Sequence, residues 1–175
     1  MYSVVAGGPL DPPWDAMPPI RIGRLDGPAG VPDKIFLVHN GERPFVRVEL
    51  HAYRDDYHGF ESCTIWSHFL VVGAGHRVYF VDLRDGGVSE FDLDGYFGSL
   101  AAGHECLLVA SAQRLFSFDR DAALQWRSHM LGLDGVVIDR ITSAEIAGAG
   151  EWDPPGGWKP FRVSAASGAD VSGPA

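Results

Sequence analysis

Three histidines and a cysteine stand near one another in the chain: His51, His58, Cys63 and His68, separated by six, four and four residues. Neutral imidazole and thiolate are good zinc ligands, so the group raises the question of a metal centre. The spacing matches none of the short-knuckle patterns. On a regular strand, Cys63 and His68 would also project to opposite faces. The four are therefore read as surface or half-buried side chains, and His104-Glu105-Cys106 is read the same way. No metal and no cofactor is expected.

Nucleophilic chemistry needs a base beside an activated hydroxyl or thiol. The chain has no G-x-S-x-G elbow and no glycine-rich loop ending in lysine. Gly73-Ala74-Gly75 reads as a hairpin turn, because no helix follows to hold an anion. Asp55-Asp56 and the Glu151/Asp153 pair carry the right groups for acid–base work. Carboxylates one or two residues apart are ordinary on a solvated strand end, so no catalytic residue is assigned.

The stretch EWDPPGGWKP, Glu151 to Pro160, holds the strongest binding candidates. Pro154 and Pro155 stiffen the chain, and Gly156 and Gly157 permit a tight reversal. Trp152 and Trp158 are held there beside Glu151 and Asp153. Rigid aromatics next to charges make good interface anchors, because they lose little entropy on binding. A second tip, Asp94-Gly-Tyr-Phe-Gly98, presents Tyr96 and Phe97. On a shared edge the two tips would form one aromatic, acidic patch. The structural alternative folds both indoles inward to cap an open sheet.

Composition narrows the partners. The chain of 175 residues is 46% hydrophobic and 21% charged, with a net charge of −9. Nucleic acid and anionic membranes need a positive surface, so neither is expected. A basic protein partner fits, since an acidic surface speeds and orients that encounter. Two cysteines, Cys63 and Cys106, make no disulfide framework. The N-terminus lacks the pattern of a secretory signal and no apolar run reaches about 18 residues, so a cytoplasmic protein is expected. Oligomeric state is left open.

The elements that must position these residues are strands. Residues 1–33 are rich in proline and glycine and read as an irregular arm, anchored by Trp14, Met17 and Ile20. Strands are expected at Lys34–His39, Phe45–Tyr53, Ser62–Val72, Arg77–Leu83, Val88–Leu93, Cys106–Ser111, Arg114–Phe118, Leu124–Ser128 and Lys159–Ala165, with two short ones in Gly135–Ala149. A helical turn is allowed only in Tyr96–Ala102. In Arg77–Leu83, Tyr79, Val81 and Leu83 alternate with Val78, Phe80 and Asp82, so both faces of that strand are expected to be covered. Asp82 and Asp119 close their strands and are expected to accept turn N–H groups. Ser167–Ala175 reads as a frayed tail.

The segment from His68, HFLVVGAGHRVYFVDLRDGGVSE, aligns without gaps to ECLLVASAQRLFSFDRDAALQWR from Glu105, an offset of 37 residues. Leu70 matches Leu107, Val72 matches Val109, and Tyr79 and Val81 match Phe116 and Phe118. PFRVSAASGAD is a weaker third copy, with Phe161 and Val163 in the same places and the tryptophan loop as an insertion ahead of that copy's inner strand. A period near 40 residues with several strands per unit points to stacked β units. The unit LFSFDRDAALQWR resembles the hairpin of quinoprotein-type β-propeller blades, and VYFVDLRDGGVSE does so with Ser89 in place of the tryptophan. Closed propellers use about 4–8 blades of four strands, more than residues 68–166 supply. A quinone ligand is therefore not carried over, since it would need a central channel.

The expected fold is all-β: an antiparallel meander of propeller-blade-like repeats, forming a twisted sheet or a two-sheet sandwich. The arm spans 1–33, the β domain 34–166 with units 68–104, 105–134 and 135–166, and the tail 167–175. The expected function is non-catalytic binding of a basic protein partner through Glu151, Trp152, Asp153, Trp158, Tyr96 and Phe97, as in immunity-type inhibitors of bacterial toxins. One alternative is a small-molecule or carbohydrate binder or enzyme that stacks its ligand on Trp66, Trp126, Trp152 or Trp158. The other is a structural accessory domain with no site.

Overall fold

The computed structural model describes residues 1–7, 10–25, 30–54, 56, 59–103, 105–153 and 155–171. Among them there is no helix; fifteen strands form four sheets. Sheet I joins β1 (Tyr2–Ala6), β2 (Ile20–Gly23), β3 (Lys34–Asn40) and β4 (Arg43–His51) in the order β1-β3-β4-β2. Sheet II is a meander of β5 (Glu61–Trp66), β6 (Phe69–Ala74), β7 (Arg77–Asp82) and β8 (Val88–Asp92). Sheet III repeats it with β9 (Phe97–Ala102), β10 (Leu107–Ser111), β11 (Leu115–Phe118) and β12 (Leu124–Arg127). Sheet IV has three strands, β13 (Val136–Ile141), β14 (Glu145–Trp152) and β15 (Gly157–Ser164).

The sheets stack in chain order because the middle two are apolar on both faces. Phe36, Val38, Val48 and Leu50 of sheet I meet Leu70, Val72, Tyr79 and Val81 of sheet II. The opposite face of sheet II carries Val71, Val78 and Phe80, which meet Leu107, Val109, Phe116 and Phe118 of sheet III. Leu108, Ala110 and Leu115 then turn the other way, toward Val136, Ile146 and Val163 of sheet IV. Each fully buried side chain of this kind contributes about 1.5–3 kcal/mol. The residues matched across the 37-residue offset occupy equivalent places: Tyr79 and Val81 face the preceding sheet, as Phe116 and Phe118 do, and as Val163 does in the third copy. Among the described residues no core joins sheet IV back to sheet I, so the stack is open.

Both ends of the stack carry charged groups on their outer faces. On the outer face of sheet I, Arg47, Glu49 and His51 are buried. An Arg47 N–H donates to the Trp14 carbonyl at 2.7 Å, and Arg47 pairs with Glu49 at 3.3 Å. Trp14 is itself buried, with its ring edge-on to His39. On the outer face of sheet IV, the Glu145 carboxylate accepts from Arg140 at 2.8 Å and from Arg162 Nε at 2.8 Å. The Arg162 bond is the main reason its carboxyl titrates below the usual range.

Several expectations need correcting. The 1–33 stretch is irregular over much of its length but also supplies β1 and β2. Both are edge strands, where missing proline donors cost no ladder bond, and β2 runs parallel to β4. Ser62–Val72 is two strands, reversed at Ser67-His68, where Ser67 takes a φ of 54°. Tyr96–Ala102 is no helical turn: β9 pairs with β10 along its length. The unit 68–104 holds β6 to β9 and so straddles two sheets, sheets II and III each beginning one strand earlier than the units 68–104 and 105–134, while the unit 135–166 coincides with sheet IV. Most of the 151–160 stretch is paired strand at the tip of the β14–β15 hairpin: Glu151 and Trp152 close β14, and Gly157–Pro160 open β15, which carries Phe161 and Val163.

The turn aspartates act as expected. Asp119 Oδ1 accepts the amides of Asp121 and Ala123, each at 2.9 Å. Asp82 Oδ1 accepts the Arg84 amide at 2.8 Å, and Arg84 Nη2 donates to Oδ2 at 2.6 Å. These side-chain bonds hold the Asp82 carboxyl at about 2. An unfolded aspartate titrates near ~3.9, so the unfolded chain takes up this proton first as pH falls. The stabilisation is complete above about pH 4 and is lost between ~4 and ~2. Asp82→Asn should melt below the wild type at neutral pH, with the gap in Tm narrowing as pH approaches 2. A gap that stays constant across that range would contradict this account.

Sheet IV admits no side chain at Gly148, where a Cβ would lie 2.0 Å from the Val137 carbonyl and 2.8 Å from the Phe161 ring. Gly148→Ala should cost about 1–3 kcal/mol in urea unfolding. Gly30→Ala, with open space around it, should change stability by less than about 0.5 kcal/mol.

Candidate functional site

The first strands of sheets II, III and IV lie along one margin of the stack. Each of β5, β9 and β13 is an edge strand of its sheet, and each approaches the next. Between β9 and β13 this margin opens into a cleft of about 470 Å³. Its floor is Gly98–Ala101 of β9 and Val136–Ile138 of β13. Phe60 and Tyr96 wall one side, their rings stacked at 5.9 Å and 21°. Trp158 and Glu151 wall the other, and Asp134 stands on the rim.

Local structure sets these side chains. Glu151 and Trp158 are register partners, so they share the outer face of sheet IV. The Glu151 amide donates to the Gly135 carbonyl at 2.8 Å, and its own carbonyl accepts from Leu133 at 2.6 Å. Those bonds pin the 131–135 turn against β14. The Tyr96 hydroxyl donates to the Asp134 carbonyl, with Asp134 Oδ1 3.1 Å away. This ties the tip of sheet III to the entrance of sheet IV. Trp158 packs its ring edge over Gly135, and about half of the residue remains exposed.

The lining carries two carboxylates and three aromatic rings, and no lysine, arginine or histidine. Among the described residues the Glu151 carboxylate has no hydrogen-bond or ion-pair partner. Such a site can hold a cation or a cluster of N–H donors against the acids, with an apolar or flat group on the rings. The hydroxyl of Ser111 is already occupied: it donates to the Asp94 carbonyl and accepts from the amides of Gln113 and Arg114.

Of the six residues singled out in the sequence, the fold brings Tyr96, Glu151 and Trp158 together. Phe97 is a correction: it is buried in the core, its ring lying over Gly73. Trp152 lies on the opposite face of the hairpin, where Lys159 Nζ sits 5.4 Å from its ring centroid. There it lines a separate concavity of about 500 Å³ with His129 and Asp170, whose side chains pair with each other at 3.5 Å. Asp153 is exposed in the turn, its carbonyl accepting from the Gly156 amide, and it does not line the cleft. Pro154 lies outside the described residues. The inward cap is not what Trp158 forms.

Trp66 and Trp126 are half-buried and lie away from the cleft. Their indole N–H groups donate to the carbonyls of Asp119 and Ala165, at 3.2 and 3.0 Å, and pin each sheet to the next. His51 sits beside Glu49 on sheet I, Cys63 packs on the core between sheets I and II, and His68 lies by Asp82. Among the described residues they do not converge as ligands; His58, His104 and Asp55 lie outside those residues. Burial raises the Cys63 thiol pKa. Sequence reasoning missed Phe60 and Asp134. The signals were slight: a lone aromatic in HGFES and the Asp-Gly pair that ends LGLDG.

Among solved structures the chain is similar to BamB from Moraxella catarrhalis, a β-propeller protein, with a TM-score of 0.49 and 13% sequence identity. The likeness covers 97% of this chain and 50% of that one, so the chain spans about half its length. No family model matches the chain, and no curated protein matches its sequence.

Tyr96→Phe removes the hydroxyl that ties sheet III to sheet IV. It should cost about 1 kcal/mol in urea unfolding, and amide exchange in the 133–135 turn should accelerate. Unchanged exchange there would show that the bond does not hold the rim.

Proposed function

We propose that the chain is a non-catalytic binding protein that engages a basic protein partner through the cleft between β9 and β13. The observation that carries this reading is the cleft's lining: Glu151, Asp134, Tyr96, Phe60 and Trp158 with no cationic side chain among them. The net charge of −9 supports it, because the approach of a basic partner is steered by the same field. Glu151 is free to pair with an incoming lysine or arginine, and Trp158 offers its exposed ring beside it. An immunity-type inhibitor facing a basic toxin is one form of this function. The concavity of the site favours a second reading, a small cationic or sugar ligand stacked on Trp158.

The test is a Trp158→Ala, Glu151→Gln double variant. Trp158 is half exposed and the Glu151 side chain makes no internal bond, so the variant should fold, with a melting temperature within a few degrees of the wild type. It should lose at least about tenfold in affinity for a basic partner captured by the wild type, and the wild-type affinity should fall as salt rises. A folded double variant that binds that partner as tightly as the wild type would overturn the assignment of the cleft. Displacement of the partner by a free monosaccharide or by arginine would favour the second reading.

A further inference from the structure

The floor of the cleft is made of strand edges. In an antiparallel ladder, successive residues present their backbone N–H and C=O alternately to the two sides. The Gly103 amide donates to Cys106 across the β9–β10 ladder, so Ala101 faces β10 and Leu100 faces away from it. The Gly135 carbonyl accepts the Glu151 amide, so Gly135 and Val137 face β14, while Val136 and Ile138 present their backbone groups to the open side. No neighbouring strand pairs with that side of β13 among the described residues. An edge of this kind is a template for another strand.

The edge is open only in part. Beyond Ile138 a bulge breaks the register, and Asp139 and Arg140 are exposed. Bulges and charges of this sort blunt an edge against pairing. The unblunted stretch, Val136–Ile138, is the part that lines the cleft. Glu151 Oε2 lies 3.6 Å from where a Cβ of Gly135 would stand, and Gly135 has none. A side chain on an added strand can therefore reach that carboxylate directly.

We infer that the cleft is a strand acceptor: an extended, basic segment of the partner adds to the Val136–Ile138 edge of β13 and sets a lysine or arginine against Glu151 and Asp134. Main-chain bonds then supply grip, and the acids and rings select alternate side chains. Charge complementarity singles out a basic segment, because the lining holds two carboxylates and no cation. The inference rests on the cleft being the binding site, as proposed above.

The probe is the peptide acetyl-Lys-Val-Arg-Val-Lys-Val-amide, in two further forms: N-methylated on the three valines, or on the three basic residues. Only one of these sets of amides can face β13. Titrations against the ¹⁵N-labelled protein should give saturable shifts at Val136, Val137 and Ile138 and slowed amide exchange at Val136 and Ile138. One methylated form should bind at least about tenfold more weakly than the other. Glu151→Gln should weaken the parent peptide about fivefold or more. Equal binding of all three peptides, still weakened by Glu151→Gln, would overturn strand addition and leave the acidic site standing. Absence of saturable shifts at these residues, or binding indifferent to Glu151→Gln, would overturn both.

Discussion

Val78 and Phe80 are buried beneath one neighbouring sheet, and Tyr79 and Val81 beneath the other. A strand that is apolar on both faces cannot rest on solvent, so sheet II must be sandwiched. The same holds for sheet III, whose Leu107 and Val109 face back while Leu108 and Ala110 face forward. Two double-faced sheets in succession demand a stack of four. The termini of that stack need faces that tolerate water or a cover. Sheet I has Arg47, Glu49 and His51 under the Trp14 segment, and sheet IV has Glu145 held by two arginines.

The candidate site follows from that stacking. Meander sheets laid face to face bring their first strands to a common margin, and a first strand has one unpaired edge. Where sheets III and IV diverge at that margin, β9 and β13 leave a trough. The long β14–β15 hairpin then carries Glu151 and Trp158 along one flank, and the Tyr96 tip closes the other. Stability and recognition are divided within a few residues: Phe97 fills the core, while its neighbour Tyr96 walls the cleft.

The sheet content and much of the order were legible because the alternation is strong. In β11 every residue is buried, as is every residue of β7 after Arg77, and the 37-residue offset placed equivalent side chains in equivalent interfaces. The turn roles of Asp82 and Asp119 were legible too, since a carboxylate closing a strand before a turn has local amides to accept. Errors arose where the local signal was weak or two-sided. Ser67 and His68 carry no glycine or proline, so the reversal inside Ser62–Val72 was missed. The short strands β1 and β2 lie in proline-rich sequence and form because the edges of sheet I were there to receive them.

Residue types and their spacing alone determined an all-β chain of repeated units, an acidic surface and two aromatic tips, because alternation and turn chemistry act over a few residues. Only the tertiary structure decided which tip residues meet. Trp152 and Trp158 are alike in sequence context, yet register with Glu151 puts Trp158 in the cleft, and the pleat sends Trp152 to the opposite face. The pairing of β9 with β10 buries Phe97 and leaves Tyr96 on the cleft, where it meets Phe60 and Asp134, 36 and 38 residues from it in the chain. Contacts of that range are set by how whole sheets stack, and no local pattern records them.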